Sequence, residues 1–484
     1  METDHITTNT THKIAVSEDV RMTTDAPCCI GIDIGTTNLC AFVLRLTDGT
    51  PVGIYHTPNA SDLPAAFPGD KRQDVNAIYA RVCALLDGAL SRFPQISAIG
   101  LTGQMHGMVL CGADGQAISP LYTWQDGRAA DLCEEIYEKT GYRVSAGYGL
   151  ATCYALLQKG DVPANTARIC TVMDYTAARL CDVPVTVMHT TNAASLGLYD
   201  IQNRMFDTDA LCALGIDGSV LPTVTDAVGI VGEYRGIPVT TPIGDNQASF
   251  LGSVSDPETT ALANFGTGSQ ISLLSPTDAD RIGGGSVEVR PFLGGRMLCS
   301  GAALCGGRAY AMLESFFRTY LSAAGCHGVS VGYETLNRLA KEGLEEYRAT
   351  GQALSVRTTF CGTRDDPGAS GVVSGIREEL FTPQAFAAGV LFGMAGELYD
   401  MYCNMPHGQI TALAASGNAV RCNPVLCEIL SEVFGLPILI PREQEEAAFG
   451  AAMTAAIAVG YAGSVRALDK WVRYQTSDLG GDQR

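Results

Sequence analysis

The sequence predicts an α/β protein of two domains that face a single cleft, and three observations carry that prediction. An apolar run, Ile30-Gly31-Ile32-Asp33-Ile34, meets Gly35-Thr36-Thr37 and resumes from Leu39 to Leu44. The same pattern returns more than two hundred residues later, where Thr260 to Phe265 meets Gly266-Thr267-Gly268 and Ser269 to Leu274 leaves. Strand-like and helix-like segments alternate in between, as in α/β proteins. Each hairpin opens about half of the chain. Two related units, each giving one Gly/Thr turn to a shared cleft, account for that spacing.

In the first hairpin, β-branched residues favour strands on both sides of Gly35, which lets the backbone bend sharply. Thr36 and Thr37 add hydroxyls, and successive N–H groups at such a bend form an anion cradle. Asp33 lies at the mouth of the strand, placed to hold Mg²⁺ through water, since that ion dehydrates reluctantly. Taken alone, the stretch is equally compatible with an ordinary β-hairpin. Asp74 caps a helix-period run from Val75 to Leu86. Ile96 to Leu101 reads as a strand, followed by Thr102-Gly103-Gln104-Met105-His106-Gly107 and a further apolar segment, Met108 to Cys111. Val239 to Gly244 is a strand that would present Asp245 at its carboxyl end. Ile410 to Ala415 reads as a strand before the turn Ser416-Gly417-Asn418-Ala419. Asn423 and Pro424 open a helix to about Val433, and Leu436 to Ile440 forms another strand. Small residues at Ala447 to Ala452 would let a backbone or an adenine ring pack closely. The expected division is a disordered tail over 1–26, domains over 27–254 and 255–463, and a tail over 464–484.

At 484 residues, 46% hydrophobic, the chain can build substantial cores. A net charge of −19 argues against nucleic acid or an anionic membrane as partner. The 17 cysteines are scattered with no Cys-x-x-Cys pair, which points to reduced thiols rather than a disulfide scaffold or a zinc finger. The first 26 residues lack the basic and apolar regions of a signal peptide, and Ala447 to Gly460 is too short to span a bilayer. A cytoplasmic protein, monomer or homodimer, is the expectation.

These motifs resemble those of the FGGY carbohydrate kinases, in the superfamily of actin, hexokinase and the heat-shock ATPases. The resemblance extends from about Cys29 to Gly460. Asp33-Ile34-Gly35-Thr36-Thr37 resembles the family's first phosphate loop, Phe265-Gly266-Thr267-Gly268 its second, and Ser416-Gly417-Asn418-Ala419 its adenosine loop. Gly244-Asp245-Asn246 resembles the segment carrying its catalytic aspartate. The resemblance implies two actin-like, ribonuclease-H-like domains flanking an ATP and sugar cleft, the N-terminal one binding sugar and the C-terminal one ATP. It implies Mg²⁺ as cofactor, with ATP/ADP and a small ketose as partners. Gln104-Met105-His106-Gly107 has the substrate-loop form of ketose kinases, where glycerol kinases carry Arg-Glu. Thr123 to Arg128, Met173-Asp174-Tyr175 and Asn192 to Gly197 are most similar to members that phosphorylate sedoheptulose, with D-xylulose kinases next.

A sugar hydroxyl is a poor nucleophile, so phosphoryl transfer needs a positioned base and charge neutralisation. Asp245 is the expected base, and by itself Gly-Asp-Asn would read as a capped turn. Gln104, Met105, His106 and Asn246 are expected sugar contacts, with Asp174 a weaker candidate. Asp126 either shapes the sugar pocket or pairs with Arg128 at the surface. Expected ATP contacts are Gly35, Thr36, Thr37, Gly266, Thr267, Gly268, Gly417 and Asn418. Two positions depart from the family pattern: Cys40 stands where many relatives place Lys or Arg, and Thr190 where they commonly place Asp. The first bears on phosphate affinity, the second on sugar contacts. Because water competes with any sugar, sugar-triggered domain closure is expected. A nucleotide switch or sugar sensor is the non-enzymatic alternative.

Overall fold

The computed structural model describes residues 14–22, 24–276, 287–326, 332–363, 366 and 368–475. Its first sheet is built from β1 (Ser17–Val20), β2 (Cys28–Ile34), β3 (Asn38–Arg45) and β4 (Thr50–Pro58), followed by helix α1 (Val75–Arg92) and β5 (Ile96–Gly103). The Asp74 carboxylate accepts from the N–H groups of Asn76 and Ala77, so the expected cap forms. Further on come α2 (Val172–Leu180), α3 (Thr190–Leu196), β6 (Ile230–Tyr234), β7 (Ile237–Thr240), β8 (Ile243–Gly244) and α4 (Asp245–Ser253). The strand order is β1-β4-β3-β2-β5-β7-β6, with β8 also paired to β5. Strands β4, β3 and β2 are antiparallel neighbours, while β5 lies parallel to β2 and β7 parallel to β5.

The second sheet repeats that plan. It comprises β9 (Thr260–Phe265), β10 (Ser269–Leu274), β11 (Val287–Pro291) and β12 (Met297–Ala303). After helices α5 (Gly307–Ala323), α6 (Gly332–Thr350) and α7 (Pro383–Cys403) come β13 (Ala412–Ser416), α8 (Asn418–Cys422), α9 (Pro424–Phe434), β14 (Ile438–Leu439) and α10 (Glu446–Ala458). The order is β11-β12-β10-β9-β13-β14. Here β12, β10 and β9 are antiparallel, and β13 and β14 continue in parallel. Both sheets therefore place an antiparallel strand outside their hairpin on one side, β4 beside β3 and β12 beside β10, and parallel strands on the other, β5 and β7 beside β2 and β13 and β14 beside β9. The related topology inferred from two Gly/Thr turns is present, and the fold is the expected two-domain α/β architecture.

Helix α10 belongs to the second half in sequence but packs on the first sheet. A Cβ on Gly31 would sit 1.9 Å from the Ala448 carbonyl oxygen, and one on Gly100 2.1 Å from that of Ala451. Gly450 likewise approaches the Ala248 carbonyl of α4. The small residues thus serve backbone contact rather than an adenine ring, because only Gly and Ala let helix and sheet come this close. One buried cluster consequently joins Phe42 and Phe250 from the first half to Phe449 and Met453.

Both expected tails need correction. Ser17–Val20 pairs antiparallel with β4, because the outer edge of β4 offers unpaired backbone groups. At the other end, Leu468, Trp471 and Val472 are buried, and the Trp471 ring fills the space beside Gly49. Residues 1–13 and 476–484 of those tails lie outside the described residues. No helix among the described residues is long and apolar enough to cross a membrane.

Candidate active site

The first hairpin turn is tied from behind through its carbonyls. The Asn59 side-chain amide donates to the Gly35 oxygen at 2.8 Å, the Asn59 backbone N–H to Thr37 at 2.8 Å, and Gln73 Nε2 to Thr36 at 3.0 Å. A turn whose carbonyls are held on one side presents its N–H groups on the other, which is the anion-cradle arrangement. Gly35 is required because a Cβ there would lie 2.6 Å from the Asn38 oxygen. The second turn is held in the same sense by the start of α5. Gly307 N–H donates to the Gly266 carbonyl at 2.9 Å and Arg308 N–H to that of Thr267 at 3.1 Å. Gly417 adopts φ 91°, and a Cβ there would meet the Phe265 oxygen at 2.4 Å. The structure thus brings Gly417 and Asn418 against the base of the second hairpin.

Asp245 begins α4, directly after β8. Its approach is fixed by three buried hydrogen bonds. Thr102 Oγ1 donates to the Ile243 carbonyl at 2.9 Å, Gly244 N–H to Thr191 Oγ1 at 3.1 Å, and Asn192 Nδ2 to the Pro242 carbonyl at 3.3 Å. Burial raises the Asp245 carboxyl to about 6, against the opposing pull of the α4 N–H groups and the Arg290 guanidinium. Asp33 is raised further, to about 8, by burial and by the carboxylates of Asp245 and Glu445. Its Oδ1 is buried with no hydrogen-bond partner. An orphaned carboxylate oxygen facing a second acid is the environment a hard divalent cation relieves, so Asp33 and Asp245 fit Mg²⁺.

A polar wall leads to Asp245 from the loop 104–107. Met105 packs against Gly244, where a Cβ would meet its sulfur at 2.7 Å. His106, at φ 71°, is pinned through its N–H to Ser195 Oγ at 3.3 Å and through Nδ1 to the Ser195 carbonyl at 2.9 Å. Since a carbonyl only accepts, the proton resides on Nδ1. The ring stacks on Tyr148 at 4.4 Å. Tyr148 donates to Glu288 at 3.2 Å, Glu288 holds Arg290 at 2.6 Å, and Arg290 reaches Asn246 Oδ1 at 3.4 Å. Asn246 also donates to Ser272 at 3.2 Å. This relay runs from the first sheet to β11 of the second and ends beside Asp245.

Some expected residues sit differently. Gln104 is buried, and its amide bridges Thr36 Oγ1 (3.4 Å) and Gln73 Oε1 (2.9 Å), linking the loop 104–107 to the first Gly/Thr turn. Asp126 does not form a surface pair. It is 1% exposed, accepts from Arg128 Nε at 2.6 Å and Nη2 at 3.0 Å, and also takes the Lys71 N–H at 3.0 Å. Its carboxylate is occupied by the loop it holds together. Asp174 is buried, bonded to Thr171 at 2.5 Å and Asn192 at 3.2 Å, and raised to about 7 by desolvation. It thereby supports Asn192. Sequence reasoning missed Gln73, Tyr148, Glu288 and Arg290. The alternate charges of Val287-Glu288-Val289-Arg290 on one strand were the available signal for the last two.

Residues 28–262 match the FGGY family of carbohydrate kinases, N-terminal domain, and residues 266–459 its C-terminal domain. A sedoheptulokinase of Mus musculus is 25% identical over 468 residues, covering 88% of this chain and 97% of that protein. A glycerol kinase of Rhodospirillum rubrum is 28% identical, covering 90% of each. Among solved structures, a xylulose kinase from Rhodospirillum rubrum superposes with a TM-score of 0.80 at 22% identity, covering 93% of each chain.

Proposed function

This chain belongs to the FGGY family of carbohydrate kinases, and from that membership we propose that it transfers the γ-phosphoryl group of ATP to a terminal hydroxyl of a ketose, sedoheptulose first, giving the 7-phosphate. The observation that carries the acceptor reading is the wall from His106 through Tyr148, Glu288 and Arg290 to Asn246, which ends at Asp245. A nucleotide switch has no use for such a set of hydroxyl partners. The resemblance of the curated relatives named sedoheptulokinase supports the choice of sugar, and D-xylulose is the alternative the same substrate loop admits.

In this reading the wall fixes the sugar so that one hydroxyl lies against Asp245. Transfer passes through a loose transition state, so the carboxylate chiefly orients that hydroxyl and accepts its proton late. The two hairpins hold the nucleotide phosphates by backbone N–H groups, and Gly417 and Asn418 flank the nucleoside. Mg²⁺ bound at Asp33 would neutralise phosphate charge. Met105 excludes water from the carbon chain.

The test is steady-state ADP release from ATP and Mg²⁺ against sedoheptulose, D-xylulose, L-ribulose, L-fuculose and glycerol. Preference for sedoheptulose supports the reading to the substrate, and preference for D-xylulose keeps the mechanism with another sugar. Release that no sugar stimulates overturns the kinase in favour of a switch.

A further inference from the structure

Adjacent strands of the first sheet place Asp33, Cys40 and His56 in one row, because Asp33 pairs with Cys40 across β2–β3 and Cys40 with His56 across β3–β4. In-register neighbours project to the same face. Over that face lies the start of α10, with Glu445 the residue just before the helix. The Cys40 thiol, a ring nitrogen of His56 and a carboxylate oxygen of Glu445 all lie within 4.8 Å of one another. His56 Nε2 and Glu445 Oε1 are 3.9 Å apart.

We propose that Cys40, His56 and Glu445 form a binding site for a borderline-soft divalent cation of the zinc type, with three protein ligands and one open position. The donor set is the reason. Thiolate, imidazole and carboxylate together suit Zn²⁺ or Co²⁺ and not Mg²⁺, which takes oxygen ligands in an octahedron. Tetrahedral zinc would hold such ligands about 3.4–3.6 Å apart, so each pair closes by roughly an ångström or less. The side chains that must move are the ones free to do so. His56 and Glu445 are 38% and 32% exposed, whereas Cys40 is buried at 3%. The exposed pair also gives the ion its entry path. Asp33, one strand over, does not belong to the trio.

Binding would release the Cys40 proton to solvent and use the lone pair of a neutral His56 ring, with no redox change. A divalent cation also reverses the penalty now borne by the thiol, whose proton is held by burial and by the neighbouring Glu445 carboxylate. The site goes beyond the kinase reading and does not depend on it, since its readout is metal binding alone.

The full chain, stripped with chelator under reducing conditions, should take up one equivalent of Co²⁺ with thiolate-to-cobalt charge-transfer absorption, and Zn²⁺ should displace it. Cys40→Ser should abolish that absorption, and His56→Ala should weaken Co²⁺ binding by at least the roughly 10–100-fold that losing even an outer-shell partner costs. His56 is a partly exposed position, so that variant stays testable if Cys40→Ser misfolds. Cys212→Ser and Cys326→Ser, at exposed cysteines, should bind as the parent does. Charge-transfer absorption that survives Cys40→Ser, His56→Ala binding as tightly as the parent, or no stoichiometric cobalt–thiolate signal would each overturn the proposal.

Discussion

Asp245→Asn removes one negative charge and nothing else of consequence, since the two side chains are nearly isosteric. If the carboxylate is the positioned base, kcat should fall by about 10²–10⁴. That corresponds to roughly 3–5 kcal/mol of transition-state stabilisation at 1.36 kcal/mol per decade. The sugar is held by the wall from His106 to Asn246, so its KM should change by no more than a few fold. The pH profile gives a second readout. With the carboxyl raised to about 6 by burial, kcat should lose its base as pH falls through that value, and the residual activity of the variant should lack this limb. Folding provides the control. A carboxyl raised above its unfolded value contributes stability fully below about pH 4 and loses it as pH rises through about 6. At neutral pH the variant should therefore be as stable as the parent or more so, by at most about 3 kcal/mol. ADP release measured with saturating ketose decides the matter. A folded variant whose kcat stays within tenfold of the parent, or whose defect lies wholly in KM, would refute the reasoning.

Three other substitutions probe separate parts of the structure. Asp33→Asn removes a carboxyl raised to about 8, so the metal-free parent should lose stability from about pH 4 to 8 while the variant does not. Melting temperatures across that range test this, and Mg²⁺ should raise the parent's value only; equal slopes would contradict it. Arg128→Met leaves Asp126 buried without its two-pronged partner and should cost about 3–5 kcal/mol in denaturant unfolding. An unchanged midpoint with a raised sugar KM would return Asp126 to the sugar pocket. Gly31→Ala forces a methyl against the Ala448 carbonyl and should destabilise by about 1–3 kcal/mol or more. An unaltered unfolding curve would show that α10 can withdraw freely.

What was legible in the sequence was local. Gly35 and Gly266 mark their turns because backbone approach there excludes a Cβ or leaves the turn exposed, and the apolar runs beside them repeat with strand period. Asp74 and Pro424 mark helix starts for equally local reasons. What was not legible depends on distant partners. The small residues of α10 announce close packing, but only the folded chain shows that Gly31 and Gly100 receive them, more than three hundred residues away in sequence. For Asp126 a pocket role and a surface pair with Arg128 were equally legible, because nothing local reveals that Tyr122 lies 4.3 Å beneath the guanidinium and Asp70 beside it. The polar Ser17–Val20 carries no strand signal of its own, since its order comes from β4.

The central claim is that a sugar hydroxyl is the phosphoryl acceptor, and the most direct measurement is the identity of the product. Sedoheptulose incubated with ATP, Mg²⁺ and the protein should yield one new phosphomonoester on the terminal carbon by phosphorus and carbon nuclear magnetic resonance, formed in equal amount to ADP. Inorganic phosphate as the sole product, from this sugar and from D-xylulose alike, would contradict the account.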